Sequence, residues 1–213
     1  YISATDPNTV YYYITATDDG ADQSEPKSSV YPNNTDYDQL GFHVSDNLTI
    51  NMVQETPWSS GNTLYEGCTV TLTGSVTADS AQYNSVYSSY AFQDGTGQWN
   101  GLVFDTEEMA IVTRGDEVSV TGLVTDNDPD WVFKFGGNTR LINATVTVTS
   151  TGNDSPASTG VSASDLAQTA EEVESYEGVL VKLDNVTVSA VNQYDWSITD
   201  ASGMEALIDE DMG

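Results

Sequence analysis

Three short blocks occur twice in this chain, in the same order, and that repeat constrains the fold more than any other feature of the sequence. Tyr65-Glu66-Gly67-Cys68-Thr69-Val70-Thr71-Leu72 returns as Tyr176-Glu177-Gly178-Val179-Leu180-Val181-Lys182-Leu183. Phe92-Gln93-Asp94-Gly95-Thr96-Gly97 returns as Ile198-Thr199-Asp200-Ala201-Ser202-Gly203, and Gly101-Leu102-Val103-Phe104-Asp105 returns as Glu205-Ala206-Leu207-Ile208-Asp209. One such match arises by chance, whereas three in order imply a structural unit used twice. The first copy continues through Arg114–Gly122 and Trp131–Phe135, and the second reaches Gly213 before any equivalent of those segments. The expectation is one complete unit and one partial unit. Strands from a longer chain or from another chain would complete the second, because an unfinished sheet leaves open edges and an exposed core.

The unit reads as β. Val70–Val76, Val118–Val124 and Ala144–Thr149 alternate with period two, and Val179–Val188 does so less strictly. β-Branched residues fill these runs, and Asp94-Gly95, Gly115-Asp116, Gly136-Gly137 and Asp18-Asp19-Gly20 supply turns. One stretch, Ser164–Ser175, places Leu166, Ala167, Ala170 and Val173 at helical spacing behind a capping box of Ser162 and Asp165. It follows a polar linker, Ser150–Gly160, which is the clearest internal boundary. The expected division is an N-terminal β segment over 1–50, a barrel over 51–150, and a linker, short helix and partial second unit over 151–213.

Charge narrows the function classes. Asp and Glu number 33 against five basic residues, for a net charge of -28. Lys27, Lys134, Lys182, Arg114 and Arg140 are scattered, so the sequence offers no basic patch for phosphates. Nucleic acid and anionic membrane surfaces are disfavoured partners, and cations are the natural counter-charge. Cys68 is alone, which excludes an internal disulfide, and its parity with Val70 and Leu72 predicts an inward, inert thiol. No apolar run reaches the roughly 18 residues that a membrane-spanning helix needs. The chain opens at Tyr1 on what reads as mature or excised sequence, with no signal peptide, so the expectation of an extracellular or cell-surface protein rests on composition alone: few lysines and many Thr, Ser, Asn, Asp and Tyr residues.

The Asn62–Gly67 lead-in, the Val-Thr-x-Thr-Gly strand, Phe-Gln-Asp-Gly-Thr-Gly and Gly-Asp-x-Val-x-Val-Thr-Gly together resemble a family of OB-like modules. Such modules occur beside the catalytic domains of secreted bacterial nucleases and in large surface proteins. The resemblance covers about residues 51–213, and Tyr176–Val188 with Asp200–Gly203 and Ile208-Asp209 resembles the usual tandem partner. It implies an all-β fold, an OB-like Greek-key barrel followed by an incomplete second OB-like repeat. It implies no catalysis, because the nuclease chemistry lies in a separate domain. Thr9–Asp18 with Ser24–Ser28 resembles the last hairpin of a fibronectin type III domain, which implies an N-terminal β-hairpin segment.

Candidate sites are few. His43 is the only histidine and no nucleophile motif surrounds it, so no catalytic set converges and a non-enzymatic protein is expected. Asp126, Asp128 and Asp130 alternate in an acidic turn that can offer oxygens to calcium, or can simply be a solvated hairpin tip. Trp131, Phe133 and Phe135 share one strand face, with Tyr87, Tyr90, Phe92 and Trp99 near in sequence. Such rings either fill a small barrel or, at Trp131, Phe133 and Trp99, offer a ligand face on which charge favours a glycan over nucleic acid. Asn-x-Ser/Thr sequons stand at Asn33, Asn47, Asn143, Asn153 and Asn185, with Asn153 in the linker expected to be the most accessible. The function expected is a structural subunit or segment of a surface assembly or filament whose β domains share strands, so that its main partner is itself. The alternative is an accessory module of a secreted nuclease-like protein that binds polysaccharide, calcium or nucleic acid.

Overall fold

Alternating burial organises the chain around one closed barrel. The computed structural model describes residues 9–12, 14–17, 28–31, 40–43, 47–56, 61–80, 88–126, 138–167, 173–193 and 195–209. These residues form an all-β structure with one short α-helix. Near the N-terminus, β1 (Thr9–Tyr12) pairs antiparallel with β4 (Leu40–His43), and β2 (Ile14–Thr17) with β3 (Ser28–Tyr31). Within the segment that resembles a hairpin, β2 pairs antiparallel with β3, whereas β1 pairs with β4 in a separate ribbon.

The barrel comprises β5 (Thr69–Ala78), β6 (Ser89–Gln93), β7 (Gly101–Asp105), β8 (Glu117–Thr125) and β9 (Arg140–Ser150), closed in the order β5-β6-β7-β9-β8. The period-two runs at Val70, Val118 and Ala144 fall inside β5, β8 and β9. Their inward residues, Val70, Leu72, Val118, Val120, Val124 and Leu141, join Tyr90, Phe92, Leu102 and Phe104 in the core. The side-chain period of a strand is two, so one register places all these residues on one face. A short helix, α1 (Ile50–Gln54), starts at Thr49, whose hydroxyl accepts from the Met52 N–H, and buries Ile50 and Val53 in the same core. The Ile50 N–H donates to Asp94 (2.7 Å) and the Gln54 amide to the Gly101 carbonyl (2.7 Å).

The second copy begins with two small elements. β10 (Thr159–Gly160) pairs in parallel with β11 (Val181–Lys182), and the Val179–Val188 run is divided into β11 and β12 (Thr187–Val191). At the break Asn185 adopts a φ of 57°, which does not belong to a strand. β12, β13 (Asp195–Thr199) and β14 (Glu205–Asp209) then form a three-stranded antiparallel sheet.

The register of this sheet repeats that of the barrel. Val76 faces Phe92 and Ala78 faces Ala91 across a bulge, and Val188 faces Ile198 and Ala190 faces Ser197 across the same bulge. Phe92 faces Leu102 as Ile198 faces Ala206, and Tyr90 faces Phe104 as Trp196 faces Ile208. A bulge kept at one position is a designed feature of a unit. The two copies therefore share three strands residue for residue.

Two expectations are corrected. The helix expected over Ser164–Ser175 is absent from its described residues, which form a turn and a 3-10 turn, Val173–Tyr176. The capping box itself forms, with the Ser162 N–H and hydroxyl donating to Asp165 (2.8 and 2.7 Å), yet it closes a local turn rather than opening a helix. Cys68 is exposed, not inward. It precedes β5 at the barrel rim, where its N–H donates to the Tyr65 carbonyl and its own carbonyl accepts from the Val124 N–H, so strand parity does not extend to it.

Candidate functional site

Two places combine unusual chemistry with position: the junction between the copies, and the open face of the second sheet.

At the junction the 3-10 turn sits on the barrel loop that joins β6 to β7. The Trp99 N–H donates to the Ser175 carbonyl (2.6 Å), the Leu180 N–H to the Gln93 side-chain oxygen (2.6 Å) and the Gly97 N–H to the Thr159 hydroxyl (2.9 Å). Gly178 lies backbone to backbone against Gly101 and Leu102. Carboxylates gather beside this contact. Glu66 accepts from the Asp126 N–H (2.7 Å) and the Thr125 hydroxyl (3.1 Å). Asp126 accepts from the Thr63 N–H (2.8 Å) and the Thr139 hydroxyl (2.6 Å), and the Thr139 N–H donates to Glu177 (3.2 Å). Burial raises the Asp126 carboxyl above the usual range despite its two donors. It raises Glu174, with Asp126 adding repulsion. Glu177 is pushed up to about 8, by burial first and then by Glu174.

Arg140 faces the same group and bonds Asp105 at 2.9 Å, and both side chains are largely buried. Removing the guanidinium leaves Asp105 with the Ser89 hydroxyl and no counter-ion across this contact. Arg140→Met is expected to cost about 2 kcal/mol, the range for a hydrogen bond to a charged group, read as a lower urea midpoint.

The sequence candidates divide. Asp128, Asp130, Trp131, Phe133 and Phe135 lie outside the described residues, as do Asn33, Tyr87 and the side chain of His43. Asp126 is described, and each of its two oxygens already accepts a hydrogen bond. Among the described residues no group of three His, Cys, Asp or Glu side chains is arranged to hold a metal ion. Tyr90 and Phe92 are barrel core. Trp99 is half-buried at the junction with a φ of 65°. Asn47, Asn143, Asn153 and Asn185 are exposed, Asn143 and Asn185 at positive φ. The Asn153 amide is bound to the Gly115 carbonyl and the Ser150 hydroxyl (3.2 Å each), so its side chain is anchored rather than free in a linker.

The chain matches no protein-family model, no curated protein and no solved structure.

Glu66, Glu174 and Glu177 were not singled out by their sequence context, although a signal existed. Glu66 and Glu177 occupy the same position of the repeated Tyr-Glu-Gly block, and the fold brings both to the Thr125–Thr139 region.

The second place is the β12-β13-β14 sheet. Val188, Ile198 and Ala206 share one face with Val191, Trp196 and Ile208. One end of that face is covered by Ala163, Leu166, Leu183 and Val186. Val188 beside that cover, and Val191 and Trp196 beyond it, are exposed, Val191 at 72% and Trp196 at 40%, whereas Tyr90 and Phe104, the equivalents of Trp196 and Ile208, are fully buried. In the barrel, β8 and β9 provide the cover, and among the described residues no strand pairs with the outer edge of β12 or β14. Next to the covered end lies a cleft of about 440 Å³, lined by Asp165, Lys182, Asp184 and Asp200 among others. Asp165 is held below the usual carboxylate range by the Ser162 N–H and hydroxyl, and Asp200 by the Ser202 hydroxyl and the Ala163 and Ser202 N–H groups. Asp165 is thus an acceptor within its own turn, and Asp200 ties its own turn to Ala163.

Proposed function

We propose that the protein is a non-enzymatic, extracellular structural subunit that assembles by sharing β-strands between copies. The observation that carries this reading is the contrast between equivalent positions: Tyr90 is sealed in a closed barrel, and Trp196 stands on an open sheet of the same register. Open edges and an apolar face are what β-strand addition uses, with main-chain bonds supplying affinity and side-chain pockets supplying register. The strand order β5-β6-β7-β9-β8 supports an OB-like reading of the unit and defines what is needed to close the second copy. That is an antiparallel ribbon with one strand antiparallel to β12 and the other parallel to β14, as β8 and β9 stand to β5 and β7.

The chain carries such a ribbon in β2–β3. Ile14–Thr17 and Ser28–Tyr31 contain no charged residue, and β2 is exposed along its length. The open face, Val188, Val191 and Trp196, is uncharged as well. In a chain of net charge -28 these two uncharged surfaces can meet with little local repulsion. Remaining long-range repulsion is screened once the Debye length falls to about 10 Å near 0.1 M salt.

Sedimentation velocity over a range of concentrations at 0.3 M salt (about a 6 Å Debye length) tests this. The wild-type chain is expected to self-associate, and Trp196→Asp or Ile14→Asp to remain monomeric. A wild-type chain that stays monomeric throughout overturns the proposal.

A further inference from the structure

Glu177 sits where an anion is badly placed. Its side chain accepts the Thr139 N–H at 3.2 Å, long for a charged acceptor. From its own turn it faces Glu174; from the end of β8 it faces Asp126, which in turn is repelled by Glu66; from β9 it faces Arg140. Arg140 is the cation that faces it among the described residues, and it is already bonded to Asp105. Thr139 holds Asp126 at its hydroxyl (2.6 Å) as well as Glu177 at its N–H, so two further carboxylates, Asp126 and Glu174, crowd the position against one shared guanidinium. As a neutral acid, Glu177 adds no repulsion and the turn Val173–Gly178 keeps its seat on the barrel through Trp99, Gln93 and the Gly101 backbone.

We infer that the junction between the barrel and the second sheet is a proton-operated fastening, closed while Glu177 holds its proton and released when that proton leaves. The fastening is independent of strand exchange, and it would fix the direction in which the second sheet is presented.

The pH window follows from the shift. The ordinary glutamate value is near 4.5, and in the closed junction it is raised to about 8. The closed form binds the extra proton between these values, so its stability is full below about pH 4.5 and is lost as pH rises through about 8. Glu174 and Asp126, also raised, act in the same direction. Asp165 and Asp200, which are lowered, act in the opposite direction, losing their contribution as pH falls.

Amide hydrogen exchange of the full chain at pH 5.5 and 8.5, corrected for intrinsic rates, tests the inference. The reporters are the Trp99 and Leu180 N–H groups, which span the junction, and Leu72 and Val120, which lie in the barrel. Protection of the two junction amides is expected to fall about tenfold or more between the two pH values, with one pKa unit corresponding to one decade. The barrel amides hold their protection, and in Glu177→Gln the junction amides lose none. A flat wild-type profile, or an equal fall in Glu177→Gln, overturns the fastening. If that variant fails to fold, which the barrel amides would reveal, Glu174→Gln replaces it. Removing that neighbouring charge lowers the shift and is expected to reduce the fall, and an unchanged fall counts against the idea.

Discussion

Replacing Phe104 by alanine is expected to destabilise the barrel by about 4 kcal/mol, the size seen for large aromatic truncations in close-packed cores. Phe104 lies on β7, fully buried, and holds two other rings in place. Tyr90 stacks on it with ring centroids 4.9 Å apart and planes 12° from parallel, and Phe92 meets its edge at 5.3 Å and 86°. Aromatic contacts of this geometry add about 1 kcal/mol each to the burial term. Tyr90 cannot easily move into the space, because its hydroxyl donates to the Ala110 carbonyl (3.0 Å) and accepts from the Ala110 N–H (2.8 Å). A tethered ring prevents collapse, so the cavity persists and the cost stays high. Phe104→Leu, which keeps most of the volume, is expected to cost about 1 kcal/mol. Urea unfolding followed by far-UV circular dichroism reads both. A Phe104→Ala loss below about 1 kcal/mol would show that the three rings are not a rigid unit. The equivalent change in the second copy, Ile208→Ala, removes a half-buried side chain from a partly open face and is expected to cost less than half as much.

The strands were legible because their inward residues recur with period two, and a closed barrel needs only that pattern plus turns. Val70–Val76, Val118–Val124 and Ala144–Thr149 became β5, β8 and β9 for this reason. The repeat paired Phe92 with Ile198 and Leu102 with Ala206, and the sheets place those residues at equivalent registers. Parity misled at Cys68, where the chain leaves the strand and follows the rim. Helical spacing misled at Ser164–Ser175, where side chains compete with the backbone for its donors, as Asp165 does at Ser162.

The carboxylates at the junction were not legible in the same way. Glu66, Asp126 and Glu177 are ordinary acidic residues in a chain that has 33. The upward shifts of Asp126 and Glu177 arise chiefly from burial, and at Glu177 that burial depends on the second copy docking on the first. A local pattern contains no information about that docking. Only the doubled Tyr-Glu-Gly block marked two of the three, and it reads equally well as the lead-in to a strand.

The docking itself rests on two glycines, and Gly101→Ala is expected to undo it. A Cβ on Gly101 would stand 2.2 Å from the Gly178 carbonyl carbon, 2.3 Å from its oxygen and 2.4 Å from the Val179 nitrogen. All three are backbone atoms, so no side chain can rotate away. Gly178 cannot yield easily either: its φ is 64°, and the Leu102 nitrogen lies 2.7 Å from where its own Cβ would stand. Gly178→Ala therefore combines a steric clash with a left-handed backbone that costs an L-residue about 1 kcal/mol. In either variant the turn must lift from the barrel, breaking the Trp99–Ser175 and Leu180–Gln93 hydrogen bonds. A loss of about 3 kcal/mol corresponds to roughly a hundredfold drop in protection of those two amides. The barrel should survive Gly101→Ala, because the Gly101 position pairs with Gln93 through backbone atoms that the added methyl leaves in place. Steric release differs from ionic release in one measurable respect: in Gly101→Ala the junction amides should exchange quickly at pH 5.5 as well as at pH 8.5. If they remain protected at pH 5.5, the Gly101–Gly178 contact is not what seats the turn, and the hydrogen bonds alone hold it.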